Sequence, residues 1–178
     1  INASSGALSF VSAPNYETPL DSDTDNVYDV QVQVSDGTLT DVQDIAVSVS
    51  NVNEAPVITS DGGGASASIS ILSGTSAVTT AAASDVDAGS TLAWTISGGA
   101  DASYFSIHAT TGALSFITSP DYANPLDVGA NNVYDVQIQV SDGSLSDIQD
   151  VAVTIVSSNL LPVAQDDVIS ALYGSAVT

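Results

Sequence analysis

Val133-Tyr134-Asp135-Val136-Gln137-Ile138-Gln139-Val140 is the stretch whose spelling decides the fold. Tyr134, Val136, Ile138 and Val140 fall on one side of an extended backbone, and Asp135, Gln137 and Gln139 on the other. Side chains of a strand alternate faces, so this spelling predicts a half-buried β-strand with one apolar and one wet face. A second run, residues 148–155, keeps the period and turns Val151, Val153 and Ile155 inward. Between the two, Ser141-Asp142-Gly143-Ser144 has turn composition, so the pair is expected to close as a hairpin.

Outward from this hairpin the chain repeats itself. Asn132 through Gly143 copies Asn26 through Gly37, differing only at Ile138 against Val32. Gly6-Ala7-Leu8-Ser9-Phe10 returns as Gly112-Ala113-Leu114-Ser115-Phe116, the same offset of 106, and Pro56-Val57 returns as Pro162-Val163. Three units are therefore expected: 1–53 as the rear half of one module, 54–159 as a complete module, and 160–178 as the start of another. The chain opens partway through the motif without a methionine, so it is expected to be a piece of something longer.

Inside the complete module, residues 67–72, 77–82, 92–96 and 114–117 read as further strands separated by Gly, Ser, Asp and Thr. About seven short strands in roughly 100 residues, with turn signals between, predict an all-β two-sheet sandwich. Trp94, Tyr104, Phe105 and Phe116 are its expected core filling.

Composition narrows the function. The formal charge is -21, from 21 Asp and Glu with no Lys or Arg. Carboxylates here have only His108 and the N-terminal amine as cationic partners, so they must be solvated, hydrogen-bonded or bound to metal. Uncompensated repulsion also strains a compact state. Nucleic acid and anionic lipid both call for basic surface, so neither is an expected partner. Cysteine is absent, which removes disulfides, thiolate zinc sites and thiol nucleophiles. No run is long or apolar enough to insert into a bilayer as a helix.

The acidic residues are not spread evenly. Asn51-Val52-Asn53-Glu54-Ala55-Pro56 joins the first module to the second, between the expected strands 45–49 and 57–59. Asp85-Val86-Asp87 follows the strand at 77–82; in extended chain both carboxylates would leave one side, repelling each other unless a cation sits between. Asn15-Tyr16-Glu17 precedes the joint by one hairpin, and Asp142 ends the long strand of the second module. Glu17 and Glu54 are the only glutamates in the chain. A polar turn capped by proline and an exposed acidic loop are the plainer alternatives.

These residues resemble the cadherin repeat, in the form found in large bacterial surface proteins. Tyr104-Phe105-Ser106-Ile107 followed by Thr111-Gly112-Ala113-Leu114 is similar to the family's F-x-I-D…T-G-x-I stretch. Tyr134-x-Val136-x-Ile138-x-Val140-x-Asp142 is similar to its Y-x-L-x-V-x-A-x-D strand, and 51–56 to a shortened D-x-N-D-N-x-P linker. The resemblance covers nearly the whole chain. It implies Greek-key, immunoglobulin-like sandwiches in tandem, and a linker Ca2+ cluster drawn from Asn15, Glu17, Asn51, Asn53, Glu54, Asp85, Asp87 and Asp142. It also implies calcium-stiffened extension and adhesion outside the cell, in a surface-anchored or secreted protein. The expected partners are neighbouring repeats of the same chain and a cell-surface protein or polysaccharide.

Departures from the family weaken the expected sites. Ser73 stands near the place of a family glutamate, and Asn15 and Asn51 replace aspartates, so fewer or weaker ions are expected at this joint. The second joint is poorer: Asp121-Tyr122-Ala123 has lost the glutamate, and Ser157-Ser158-Asn159-Leu160-Leu161-Pro162 nearly everything else. Past it, Val163-Ala164-Gln165-Asp166-Asp167 resembles the start of a different cadherin-like repeat class. Asp21-Ser22-Asp23-Thr24-Asp25 imitates an EF-hand loop, but Asn26 and Val32 stand where its Gly and Glu belong. It is read as a solvated loop, because its counterparts Asp127, Gly129 and Asn131 keep one carboxylate. His108, with no nucleophile or second metal ligand nearby in sequence, is read as structural. No catalytic residues are expected. The competing function is a carbohydrate-binding or spacer module of a polysaccharide-active protein, with Tyr16, Tyr122 and Tyr173 as its candidate exposed aromatics.

Overall fold

The computed structural model describes residues 1–158. The expected third unit, the rest of the second joint from Asn159, and Tyr173 lie outside the described residues.

The described residues run as eleven strands: β1 Val27–Ser35, β2 Thr40–Ser48, β3 Val57–Ile58, β4 Ser66–Leu72, β5 Ala77–Thr80, β6 Ala83–Ser84, β7 Ala93–Gly98, β8 Phe105–Ile107, β9 Ala113–Phe116, β10 Val133–Ser141 and β11 Ser146–Val156. Nine of these belong to the stretch after the joint, against the seven expected. The surplus is the two-residue β6, too short to carry a period, and β8, which follows a single 3-10 turn at Ala102–Tyr104.

β10 and β11 form the expected hairpin, pairing Val133 with Thr154 through Ser141 with Ser146. β7 adds antiparallel to β10 and β4 adds parallel to β11, giving the sheet order β4-β11-β10-β7. A second sheet runs β5-β9-β8, and β3 pairs with β6 in a short ribbon near the joint. The chain alternates between the two sheets, and that weaving buries both inner faces. Tyr134, Val136, Ile138 and Val140 are all at most 2% exposed, as are Val151, Val153 and Ile155. Opposite them stand Phe105, Leu114 and Phe116, with Trp94 sealed among them. Phe105 and Phe116 lie 4.2 Å apart, and Phe116 meets the Tyr134 ring edge-to-face at 5.0 Å.

The buried aspartates enter this core with partners in hand, whereas Gln149 keeps an Oε1 that no donor meets. Asp101 is 1% exposed. Its Oδ1 accepts from the Val128 amide at 2.8 Å and its Oδ2 from the Asp135 amide at 2.9 Å, tying a loop to β10. Two steps earlier, Gly99 lets the backbones touch. A Cβ there would overlap Val136 Cα and stand 2.5 Å from the Asp135 carbonyl oxygen, at a φ of +105°.

In β1 and β2 the register repeats that of the second hairpin, Val27 with Ser48 through Ser35 with Thr40, as a two-stranded sheet. Loops copy it too. The Tyr28 hydroxyl accepts from the Leu20 amide at 3.0 Å, and Tyr134 does the same for Leu126 at 3.0 Å.

Gly99→Ala is expected to cost about 2–4 kcal/mol, the range of backbone collision added to left-handed strain. Gly143→Ala, with φ +101° but nothing within 4 Å of the added carbon, should cost only about 1–2 kcal/mol. Urea unfolding of the two variants checks the difference.

Candidate metal centre

Three segments meet at the joint. The first is the loop before β1. Asn15 Oδ1 accepts from the Glu17 amide at 2.8 Å and the Thr18 amide at 3.3 Å, a local turn that presents the Glu17 side chain. Asn26 Nδ2 holds this loop by donating to the Tyr16 carbonyl at 3.0 Å. The second segment is the joint itself, 49–56, which runs without strand pairing and ends on buried Pro56. The third is Asp85–Asp87, just after β6.

Here the expected geometry changes. Asp85 and Asp87 do not stand side by side on extended chain, because the backbone bends at 86–87. Asp85 Oδ1 accepts the Asp87 amide at 2.9 Å, closing a small turn that the pair's own chemistry favours. The turn swings Asp87 onto the joint. Its Oδ2 accepts from the Glu54 amide at 2.8 Å and its Oδ1 from Asn51 Nδ2 at 2.7 Å.

One carboxylate oxygen from each of Glu17, Glu54 and Asp87 then lies within 4.8 Å of the others. Glu17 Oε1 and Asp85 Oδ2 are both closed off from solvent and have no hydrogen-bond partner. Burial, then the charges of Glu17, Asp87 and Asp85, push the Glu54 carboxyl above its ordinary 4.5. The donor set is all oxygen, anionic and partly desolvated, with two acceptor atoms left over. That suits a hard cation of the calcium type, which takes six to eight oxygens at about 2.3–2.6 Å.

Asn53 and Asp142 do a neighbouring job. Asn53 Nδ2 donates to Asp142 Oδ2 at 2.8 Å and to the Glu54 carbonyl at 3.1 Å, so the joint is pinned to the β10–β11 turn. Asp142 Oδ1 accepts from the Ser144 and Leu145 amides, at 2.6 and 2.7 Å. The Leu145 amide, then Asn53, then the Ser144 amide hold its carboxyl below the usual range. Of the eight expected ligands, then, Glu17, Glu54 and Asp87 converge and Asp85 and Asn51 attach through Asp87. Asn53 pairs with Asp142, and Asn15 is turned into its own loop.

Two supports escaped the sequence reading. Asp147 Oδ2 accepts from the Ile58 amide at 2.8 Å, fastening β3 immediately after the joint. Gln149, fully buried, donates from Nε2 to the Gly64 carbonyl at 2.9 Å. Both sit on the inward parity of β11 with Val151 and Val153. A polar residue on an apolar parity was the signal available.

Asp21, Asp23 and Asp25 are also brought together, with one oxygen each inside 4.8 Å. Asp21 Oδ2 is engaged in closing the loop, accepting from the Asp25 and Asn26 amides at 2.8 and 3.2 Å. Asp127 makes the equivalent bonds to Asn131 and Asn132 with Gly129 in place of the middle aspartate. The loop therefore folds without a three-carboxylate set, which marks Asp21 as a folding residue.

At the other pole, Asp121 spends Oδ1 on the Ala123 amide at 2.9 Å and Oδ2 on Asn124 Nδ2 at 2.6 Å. Ser73 Oγ accepts from the Tyr122 amide at 3.0 Å. His108 Nδ1 accepts from the Thr110 and Thr111 amides, both at 3.2 Å. Asn2 Oδ1 does the same for Ser4 and Ser5 at 2.9 and 3.0 Å, so the histidine ring stands in for an Asx turn.

No protein-family model matches the chain. Human protocadherin Fat 1 is 30% identical over 172 residues, which cover 90% of this chain and 4% of that protein. The two-domain structure of human protocadherin-24 EC1-2 superposes with a TM-score of 0.56 at 23% identity, over 83% of this chain and 70% of that one. The fold is cadherin-like. Mouse cadherin-23 EC22-24 agrees, with a TM-score of 0.56 at 16% identity over 79% of this chain and 45% of that one. The cadherin-like segment thus spans a small fraction of the Fat 1 relative it matches.

Two outcomes follow for these turns and charges. His108→Asn should leave the thermal midpoint nearly unchanged, since Asn2 already does that work, while His108→Ala should cost about 1 kcal/mol. Because the Glu54 carboxyl is raised, a cation bound there must displace protons as the solution turns acid. A hard cation held at this cluster should therefore bind fully near pH 7 and more weakly as pH drops toward and through the raised Glu54 value. Calorimetric titrations at stepped pH check this by affinity and by proton release.

Proposed function

We propose that this chain is a calcium-stiffened, non-enzymatic segment of an extracellular stalk. In this reading, tandem cadherin-like sandwiches of a bacterial surface-anchored or secreted adhesin hold a binding tip away from the cell or bind a partner themselves. One observation carries the reading. Glu17 Oε1 and Asp85 Oδ2 are shut off from water without a hydrogen-bond donor, beside Glu54 and Asp87, in a chain with no lysine or arginine.

Calcium bound at the joint would supply the positive charge that the side chains lack. Glu17, Glu54, Asp85 and Asp87 would hold it, and Asn51 would orient Asp87. Asn53 and Asp142 would keep the joint seated on the second module. Ligands drawn from both sides of residues 49–56 make ion binding and joint rigidity the same event. Extracellular modules of this kind bind calcium at about 10⁻⁴–10⁻³ M, so the site would fill outside a cell and empty inside one. Emptied, the carboxylates repel and the joint flexes.

The competing carbohydrate-binding reading has only Tyr16 and Tyr122 to build on, 39% and 45% exposed. Tyr16 stands by the joint, whereas Tyr122 bonds to Ser73 at the opposite pole, so the pair cannot form one stacking platform. A glycan array read with calcium and with chelator separates the two functions.

Adding about 10 mM calcium to chelated protein should raise the thermal midpoint by about 5–20 °C, from mass action at ten to a hundred times the dissociation constant. Small-angle scattering should show a narrower spread of shapes. Glu54→Gln should weaken calcium on the order of tenfold or more and raise the midpoint slightly in chelator, by removing one repelling charge. A chain indifferent to calcium and chelator in both measurements overturns the proposal.

A further inference from the structure

Asp-Gly occurs three times in the chain, at 36–37, 61–62 and 142–143. The dipeptide carries its own chemistry, because glycine has no Cβ to keep its amide nitrogen from the carboxyl carbon before it. Two of the three pairs are guarded by hydrogen bonds. The Gly37 amide donates to Ser35 Oγ at 3.1 Å and the Gly143 amide to Ser141 Oγ at 3.0 Å. Asp36 Oδ1 accepts from the Thr38 and Leu39 amides at 2.8 and 2.7 Å, and Asp142 is held by Ser144, Leu145 and Asn53. The Leu39 amide, then the Thr38 amide, keep the Asp36 carboxyl below its usual range, and Asp142 is lowered in the same way. Both therefore stay as carboxylate, the poorer electrophile. The pair at 61–62 lacks these guards. It forms the turn after β3, where the Gly63 amide donates to the Ser60 carbonyl at 2.9 Å. Among the described residues the Gly62 amide has no acceptor, and the Asp61 carboxylate meets only the Thr79 hydroxyl, at 3.1 and 3.2 Å. A Cβ at Gly62 would find nothing within 4 Å, so a planar ring has room there. Asp36 and Asp61 are both exposed, so bonding and not exposure separates them.

We propose that Asp61 is a site of spontaneous backbone isomerisation to isoaspartate, and that the fold shields the other two Asp-Gly pairs from the same reaction. The Gly62 nitrogen attacks Cγ of the protonated Asp61 carboxyl. A C–N bond forms, the C–OH bond breaks, and the hydroxyl leaves with the amide proton as water. The product is a cyclic imide. Water adding back at Cγ restores aspartate. Water adding at the Asp61 main-chain carbonyl carbon breaks its bond to the Gly62 nitrogen, so the chain then runs through Cβ and Cγ and the α-carboxylate is free. One water leaves and one returns, and no other reactant is needed. Isoaspartate makes the main chain one methylene longer between β3, which follows the joint, and β4. It also relocates the charge that the Thr79 hydroxyl of β5 bonds.

The test stores the whole 178-residue chain for weeks at neutral pH in chelator, where the calcium reading has no bearing. Trypsin finds no Lys or Arg to cut, so the chain is mapped with a protease that cleaves before aspartate and not before isoaspartate. The cut before residue 61 should fade on the order of tenfold or more faster than those before 36 and 142, from the hydrogen bonds the other pairs must break. An isoaspartate methyltransferase with S-adenosylmethionine should label the peptide that contains residue 61. Unfolded in urea, the three pairs should react at similar rates. Ser35→Ala, which frees the Gly37 amide, should speed the reaction at 36, and Asp61→Glu should abolish it at 61. Three results overturn the proposal: equal rates at the three pairs in the folded chain; a folded chain silent at 61 while the unfolded one reacts there; or the same ranking in urea, which would make the preference one of sequence and not of fold.

Discussion

Carboxylate oxygens in this protein have almost nothing positive to rest against. With 21 acidic side chains and no lysine or arginine, each oxygen taken out of water must find an N–H donor or a cation, because burying a bare charge is costly. Most find backbone donors. Asp101, Asp127, Asp142 and Asp147 each accept main-chain amides, and they sit where loops must be pinned to strands. A chain built this way uses aspartate as its loop fastener. Its short side chain reaches amides two to five residues on, as at Asp85, Asp21 and Asp121.

That solution runs short at the joint, and also at Asp21, whose Oδ1 is buried without a partner. Amides of the joint reach Asp87, and Asn51 and Asn53 lend side-chain donors, but Glu17 and Asp85 retain oxygens that no N–H meets. Glu17 precedes the joint, Glu54 lies in it, and Asp85 and Asp87 follow it. Under the calcium proposal, whatever neutralises them would also set the angle between modules, so electrostatics and mechanics would be one problem at this site. The opposite pole shows the contrast: Asp121 satisfies itself locally, and Ala123 occupies the place of Glu17. Repeats that share a fold therefore need not share a carboxylate cluster.

The repeat also works as an internal control. Spelling that differs only at Val32 against Ile138 gives β1 and β10 the same pairing register and the same aromatic edge contact, yet very different burial. Register is local, set by the turn and by side-chain alternation. Burial depends on strands distant in the chain, because β4 and β7 must arrive from elsewhere to flank the hairpin.

Alternation at 133–140 and 148–155, the turn between them and the 106-residue offset were legible in the sequence, because a strand's period and a hairpin's turn involve near neighbours only. The inward positions of Val136, Ile138, Val151 and Val153 came from the same rule, whereas the grouping of Glu17 with the joint was implied by the resemblance to the cadherin repeat. Tertiary structure alone decided which carboxylates meet. Asp85 and Asp87 were expected side by side, but the local amide bond turned one into the other's cap. Asp147 and Gln149 were hidden on an apolar parity until β3 and the Gly64 loop came to them. Side-chain direction after a bend, and donors arriving from distant segments, leave no period in a sequence, since both depend on how the sheets finally stack.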